Sequence, residues 1–304
     1  MAAREGEAGA GKTPGAVTDR TQERAREDEQ FVPVIVKRTD ESRRHPDDTL
    51  ERAVKEGREQ LNRRAGSLLL SAVAAGMILG FTALPVGVVV TAMAPLHSAL
   101  LTRIGAALVY PLGFVICILS GAQLFTEHTA TAVYPVLDRK ASFGQLLRLW
   151  VIVVAGNLIG AAVIASLLAA VEPISAAREG YTIVGRHLVS PATLPLLFSS
   201  ILAGWLMAQG AWLVISTAST AAQMLSLYAV TFVIGIGGLH HSVAGAVELM
   251  TALWVSEEFT IPAAAGSIAV MLLGNLAGGS TLVAILNYAH IRKTQTLGNS
   301  ARHP

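Results

Sequence analysis

Thr126, Glu127 and His128 follow Gly121-Ala122-Gln123-Leu124-Phe125 inside one long apolar stretch, and His240, His241 and Ser242 follow Gly237-Gly238-Leu239 inside another. An imidazole both donates and accepts hydrogen bonds and changes charge close to neutral pH, with an ordinary pKa of about 6.5. A threonine hydroxyl can hydrogen-bond an oxyanion. In segments long enough to cross a bilayer such groups are costly, and irregular backbone is tolerated there only where it is buried in protein or lines a cavity. The chemistry these clusters suit is therefore passage of a small polar or charged solute. Glu248 lies seven residues beyond His241, on roughly the same helical face and about 10 Å along the axis. It is expected to restore a negative partner for the histidine, to line the outer vestibule, or to be a surface residue at a helix end.

A membrane metalloenzyme using His240, His241 and Glu248 is a competing use of the same residues. Adjacent residues on a helix diverge by about 100°, so the two histidines are poorly placed to share an ion. Cys117, the single cysteine, excludes intrachain disulfides and thiolate-clustered zinc. No metal or other cofactor is expected.

The elements that must hold these clusters are apolar helices. Of the 304 residues, 52% are hydrophobic and 14% charged, and 14 basic and 14 acidic residues fall before residue 65. That leader is neutral and mixed, so the net charge of +2 gives no basic stripe for nucleic acid. Residues 1–47 read as a disordered charged leader, 48–66 as an amphipathic interfacial helix carrying Leu50, Val54 and Leu61, 67–290 as a membrane domain and 291–304 as a tail. Six spans are expected within the membrane domain, each near the ~20 apolar residues a crossing needs. The second is interrupted at 121–129 and the fifth at 237–245, and Pro85 is expected to kink the first. Arg139, Lys140, Arg148, Arg292 and Lys293 gather on the side of the termini, which the positive-inside rule places in the cytoplasm of a multi-pass inner-membrane protein.

The two interruptions are related. Gly156-Asn157-Leu158-Ile159-Gly160 follows the first and Gly274-Asn275-Leu276-Ala277-Gly278 the second. A broken helix followed by a Gly-Asn-Leu-x-Gly helix thus occurs once in each set of three spans, and three is odd. The expected architecture is an all-α membrane protein with an inverted 3+3 repeat, the arrangement of many transporters.

With both motifs in hand, the chain resembles the formate/nitrite transporter family from about residue 67 to residue 288. Gly121-Ala122-Gln123-Leu124-Phe125-Thr126 resembles the loop of that family's second span, and Gly238-Leu239-His240-His241-Ser242 its fifth-span histidine motif. The resemblance implies an aquaporin-like six-helix bundle, a homopentamer, and one pore per protomer for small monovalent anions such as formate or nitrite, with possible proton coupling. By place in the motif, His241 is the pore histidine and Thr126 its hydroxyl partner. Leu124 and Phe125 form one constriction, Tyr110 and Phe114 the opposite one, and Ile234 and Met207 further constriction side chains. His240 stands where many members carry an acidic residue, and Gly204 where many carry an asparagine that bonds the histidine. These departures keep a second reading open, a channel for small neutral solutes on the same fold.

Overall fold

The computed structural model describes residues 44–300, with side chains through residue 293. The expected leader lies outside the described residues up to position 43, and so do positions 301–304. Described residues are helical throughout, without a strand.

The first helix, α1, runs Pro46–Leu61. Proline suits the first helical turn because its missing N–H is an orphan there anyway, and the cap is His45, whose Nδ1 accepts the Asp47 amide at 3.4 Å. The apolar side of α1 is covered by protein, with Leu50, Ala53, Val54 and Leu61 buried and Gly57 pressed against Thr131 and Pro135. The amphipathic stripe is thus spent on protein packing.

Six helices are long and apolar enough to cross a membrane among the described residues: Ala65–Leu96, Ala99–Leu119, Phe143–Ala170, Thr193–Ser216, Thr220–Gly237 and Ile261–Lys293. The first divides into α2 (Ala65–Ile78) and α3 (Gly80–Met93). Its discontinuity falls at Leu79, whereas Pro85 lies inside α3. The second divides at Pro111 into α4 (Ala99–Val109) and α5 (Pro111–Leu119), and the Tyr110 carbonyl at that junction accepts from Thr82 Oγ1 at 3.1 Å. After a short gap come α6 (Phe125–Thr131) and α7 (Tyr134–Leu137). The third span is α8 (Phe143–Ala170), started by a Ser142/Gln145 capping box. Two short connecting helices, α9 (Glu172–Ser175) and α10 (Arg178–Val189), lead to the fourth span, α11 (Thr193–Ser216). The fifth is α12 (Thr220–Gly237) followed by α13 (Ser242–Val255), and the sixth is α14 (Ile261–Ala277), a π-helical stretch Gly278–Ile285, and α15 (Leu286–Ser300). That last helix continues through the stretch expected as the start of a tail.

Both breaks are shorter than the spacing of polar residues suggests. They comprise residues 120–124 and 238–241, so Thr126, Glu127, His128 and Ser242 to Gly245 are helical. Each break turns on one glycine in the left-handed region, Gly121 with φ 72° and Gly238 with φ 60°, where an L side chain is strained.

The repeat extends to atomic contacts. α2 packs on α8 as α11 packs on α14. A Cβ at Gly156 would meet Ala72, Leu69 and Val73, and one at Gly274 would meet Ser200, Leu197 and Ile201 in the same order. The second half-helices then cross over: α6 packs on α11, α14 and the π-helical stretch, and α13 packs on α8 and α3. This exchange carries the end of each break into the opposite half.

Candidate permeation site

One asparagine holds each break. Asn157 Oδ1 accepts the Phe125 amide at 2.9 Å while its Nδ2 donates to the Ala72 and Gln123 carbonyls at 2.8 and 2.9 Å. Asn275 repeats the pattern, accepting the Ser242 amide at 2.7 Å and donating to the Ser200 and His240 carbonyls at 2.7 and 3.1 Å. Backbone groups freed by a broken helix need partners where no water reaches, and each asparagine supplies three bonds. In the sequence the Gly-Asn-Leu motif marks the inverted repeat, and this role of its asparagine is not apparent there. Retention of the same amide in both halves was the available signal.

The clamped loops present Leu124 and His241 in matching places. Both precede a half-helix, with φ −95°, ψ 129° and φ −93°, ψ 128°. His241 Nδ1 accepts the Ala244 amide at 3.2 Å and so caps α13. With Nδ1 an acceptor, the neutral ring carries its proton on Nε2 and donates to Thr126 Oγ1 at 2.9 Å. Both side chains are buried, and Thr129 Oγ1 donates to the Thr126 carbonyl at 2.7 Å. Phe114 sets its ring edge-on to the imidazole with centroids 4.8 Å apart, and Tyr110 leans on Phe114 at 5.2 Å. The structure thus brings together Tyr110, Phe114, Thr126 and His241, with Leu124 at the end of the first loop and Phe125 at the start of α6 both buried.

His240 belongs to a different cluster. Its amide donates to Ser199 Oγ at 3.2 Å, that hydroxyl donates back to His240 Nδ1 at 2.7 Å, and Nε2 donates to the His187 carbonyl at 3.3 Å. His187 stacks on it at 4.8 Å and donates from Nε2 to the Gly238 carbonyl at 3.0 Å. His187 and Ser199 were absent from the sequence-based set, and no local pattern marks them. Gly204 does not face His241: a Cβ there would collide with the backbone of Asn275. It is the repeat mate of Gly76, whose Cβ would collide with the backbone of Asn157. Met207 and Ile234 are buried in the core. Glu248 is buried in mid-α13.

Space opens on both sides of the site. A cavity of about 90 Å³ is bounded by Glu56 and Gln60 of α1 together with Gln123, Glu127 and His128. On the other side, a vestibule of about 750 Å³ is bounded by Thr91, residues of α10, and Val255 to Glu258 at the end of α13. Arg186 grips Glu258 with two bonds of 2.6 Å there, and Arg178 binds Glu172 at 3.1 Å. Hydrogen bonding and attraction from Arg186 hold the Glu258 carboxyl below its ordinary range. No group of three or more metal-ligating side chains occurs among the described residues.

A family model described as formate/nitrite transporter matches residues 47–289. The chain belongs to that family. Inner membrane protein YfdC of Escherichia coli strain K12 is 32% identical over 248 residues, covering 78% of this chain and 76% of YfdC. An FNT family ion channel superposes with a TM-score of 0.71 at 20% identity, covering 80% of this chain and 99% of that one. A pentameric formate channel with formate bound superposes at 0.62, also at 20% identity, covering 75% and 97%. Membership of the formate/nitrite transporter family makes this a multi-pass membrane transport protein rather than an enzyme, and the likeness to solved channels gives it their aquaporin-like fold.

Proposed function

We propose that this formate/nitrite transporter family member carries small monovalent anions of the formate and nitrite kind through a pore in each protomer of a homopentamer. The observation that carries the reading is the buried His241–Thr126 pair, made by two broken helices from opposite halves of an inverted repeat. An anion leaving water for this site loses hydration, which costs from about 2.5 to over 10 kcal/mol at the bilayer centre. In the resting pair the His241 Nε2–H is already spent on Thr126. An arriving oxyanion takes that proton donor for itself, and the released Thr126 hydroxyl turns to donate a second hydrogen bond. Two fixed donors thus replace part of the lost water shell, while Phe114 keeps the ring edge dry.

The YfdC likeness and the loop charges support an inner-membrane location with both termini in the cytoplasm. Arg139, Lys140, Arg148, Arg292 and Lys293 lie on the terminal side, whereas the opposite side mixes Arg103, Arg178 and Arg186 with Glu172, Glu179, Glu257 and Glu258. In this arrangement α1 faces the cytoplasm, and the pentamer stands on the solved formate channel.

The acidic excess of the vestibule lining, four glutamates against Arg178 and Arg186, favours one alternative, passage of a small neutral solute. Proteoliposomes loaded in turn with formate, nitrite and urea separate the two. Formate and nitrite fluxes well above urea flux, reduced at least about tenfold in His241→Asn, are expected; a tenfold loss corresponds to ~1.4 kcal/mol of barrier. Urea flux that exceeds both anions and survives His241→Asn overturns the anion reading.

A further inference from the structure

Glu248 is buried to 5% exposure in the middle of a pore half-helix and forms no hydrogen bond or ion pair with any described residue. Its oxygens are not among the sealed, unpartnered polar atoms, a set that includes Gln123 Oε1, His128 Nε2 and Tyr181 Oη, so each borders on space that a water-sized probe touches. The helix fixes its depth. Glu248 and Val255 are spaced by seven residues on one face of α13, with His241 capping the start of that helix at the centre of the site and Val255 in the vestibule wall. Tyr110 lies within electrostatic reach of Glu248, and it leans on Phe114, which abuts His241. The carboxylate therefore stands between the vestibule and the histidine.

Among the described residues no cation pairs with it. Of the helices packed on α13, α2, α3 and α14 contain no titratable residue, and α8 contains only Arg148, at its opposite end. α10 brings Arg178, Glu179, Tyr181, Arg186 and His187. Arg178 is committed to Glu172 and the Val255 carbonyl, Arg186 to Glu258 and His187 to the Gly238 carbonyl. The remaining titratable neighbours, Glu179, Tyr181 and Tyr110, are a carboxyl and two phenols, none of them a cation. An ionised carboxylate at bilayer depth without a cation or donor is costly, and a bound proton removes that cost. His241 is poorly suited to take the same proton, because an imidazolium carries hydrogen on both nitrogens and cannot keep the Ala244 cap.

We propose that Glu248 is a proton-binding site on the permeation path, and that an anion passes it only while the carboxyl is protonated. The proton enters from vestibule water onto one carboxylate oxygen and leaves the same way. Its loss places a negative charge ahead of His241 and repels the anion. This rests on the anion-transport reading above, and it puts the pH dependence of flux on Glu248 instead of the histidine.

The test is formate flux through the full chain in proteoliposomes from pH 5 to 9, expressed as the ratio of Glu248→Gln to wild type so that substrate protonation cancels. The expected ratio is near one at pH 5 and rises to about tenfold or more at pH 9, the effect of removing one like charge from a dry path. Glu248→Asp is expected to follow the wild-type profile. A ratio that stays flat across this range overturns the proposal. Infrared difference spectra of the purified wild-type protein supply a readout independent of transport: a protonated-carboxyl band that disappears on alkalinisation and is missing from Glu248→Gln is expected, and its absence at every pH overturns the site. If wild type carries no formate at any pH, the transport reading fails, while the infrared titration still decides whether Glu248 binds a proton.

Discussion

His241 and Leu124 occupy equivalent places in the two halves, and the difference between them is where the pore acquires chemistry. Their backbones agree within a few degrees, yet only the imidazole caps its helix and reaches across to Thr126. His241→Asn keeps a good capping residue but removes the Nε2 donor and strands the buried Thr126 hydroxyl, so flux falls and stability drops by about 1–3 kcal/mol. His241→Leu, which copies the first half, loses the cap as well and lowers stability by about 0.5–2 kcal/mol more in thermal unfolding. Equal stability of the two variants would show that the Nδ1 cap contributes nothing. Thr126→Val leaves Nε2–H without its acceptor in a buried site and is expected to cost about 1–3 kcal/mol and reduce formate flux, both measurable on the purified protein.

At the scale of elements, the asparagine clamps convert a broken helix into a fixed one. Asn157→Ala and Asn275→Ala each strand a buried amide and two carbonyls, and each is expected to lose at least about 2 kcal/mol in thermal unfolding. Because the bonding patterns match, the two losses should agree within a factor of about two. Gly204→Ala and Gly76→Ala drive a methyl into the facing helix backbone and should each destabilise by roughly 1–3 kcal/mol. The breaks, their inverted repetition and the meeting of Thr126 with His241 were legible because glycines and polar residues inside apolar runs have few other uses in a membrane. The span of each break was not, since Thr126 and Ser242 look like loop residues until an asparagine satisfies the first amide of the helix. His240 joins a cluster apart from the His241–Thr126 pair for a similar reason: a single left-handed glycine sets the direction of the next three side chains, and the partners that receive His240, Ser199 and His187, lie 41 and 53 positions away.

For the molecule as a whole, Asp138 ties the connection between the second and third spans to the last helix. Its carboxylate accepts from Arg292 at 2.6 Å and Tyr288 Oη at 3.0 Å, and pairs with Lys140 at 2.6 Å. Burial alone would raise the carboxyl, but the hydrogen bonds from Lys140, Arg292 and Tyr288 outweigh it and hold the group below its ordinary range. A carboxyl whose folded pKa is depressed adds stability that is present above its unfolded pKa, about 3.9, and is lost as pH falls through the folded value. Asp138→Asn should therefore unfold more easily than wild type by about 1–2 kcal/mol across neutral pH, with the gap closing only below about pH 4 as wild type protonates. Because the tie joins the connection after the second span to the end of the sixth, its loss should raise amide exchange in α15 while leaving α13 and the His241 cap unchanged. A gap that persists undiminished at pH 3, or exchange that rises equally in α13, would show that Asp138 supports something other than this tie.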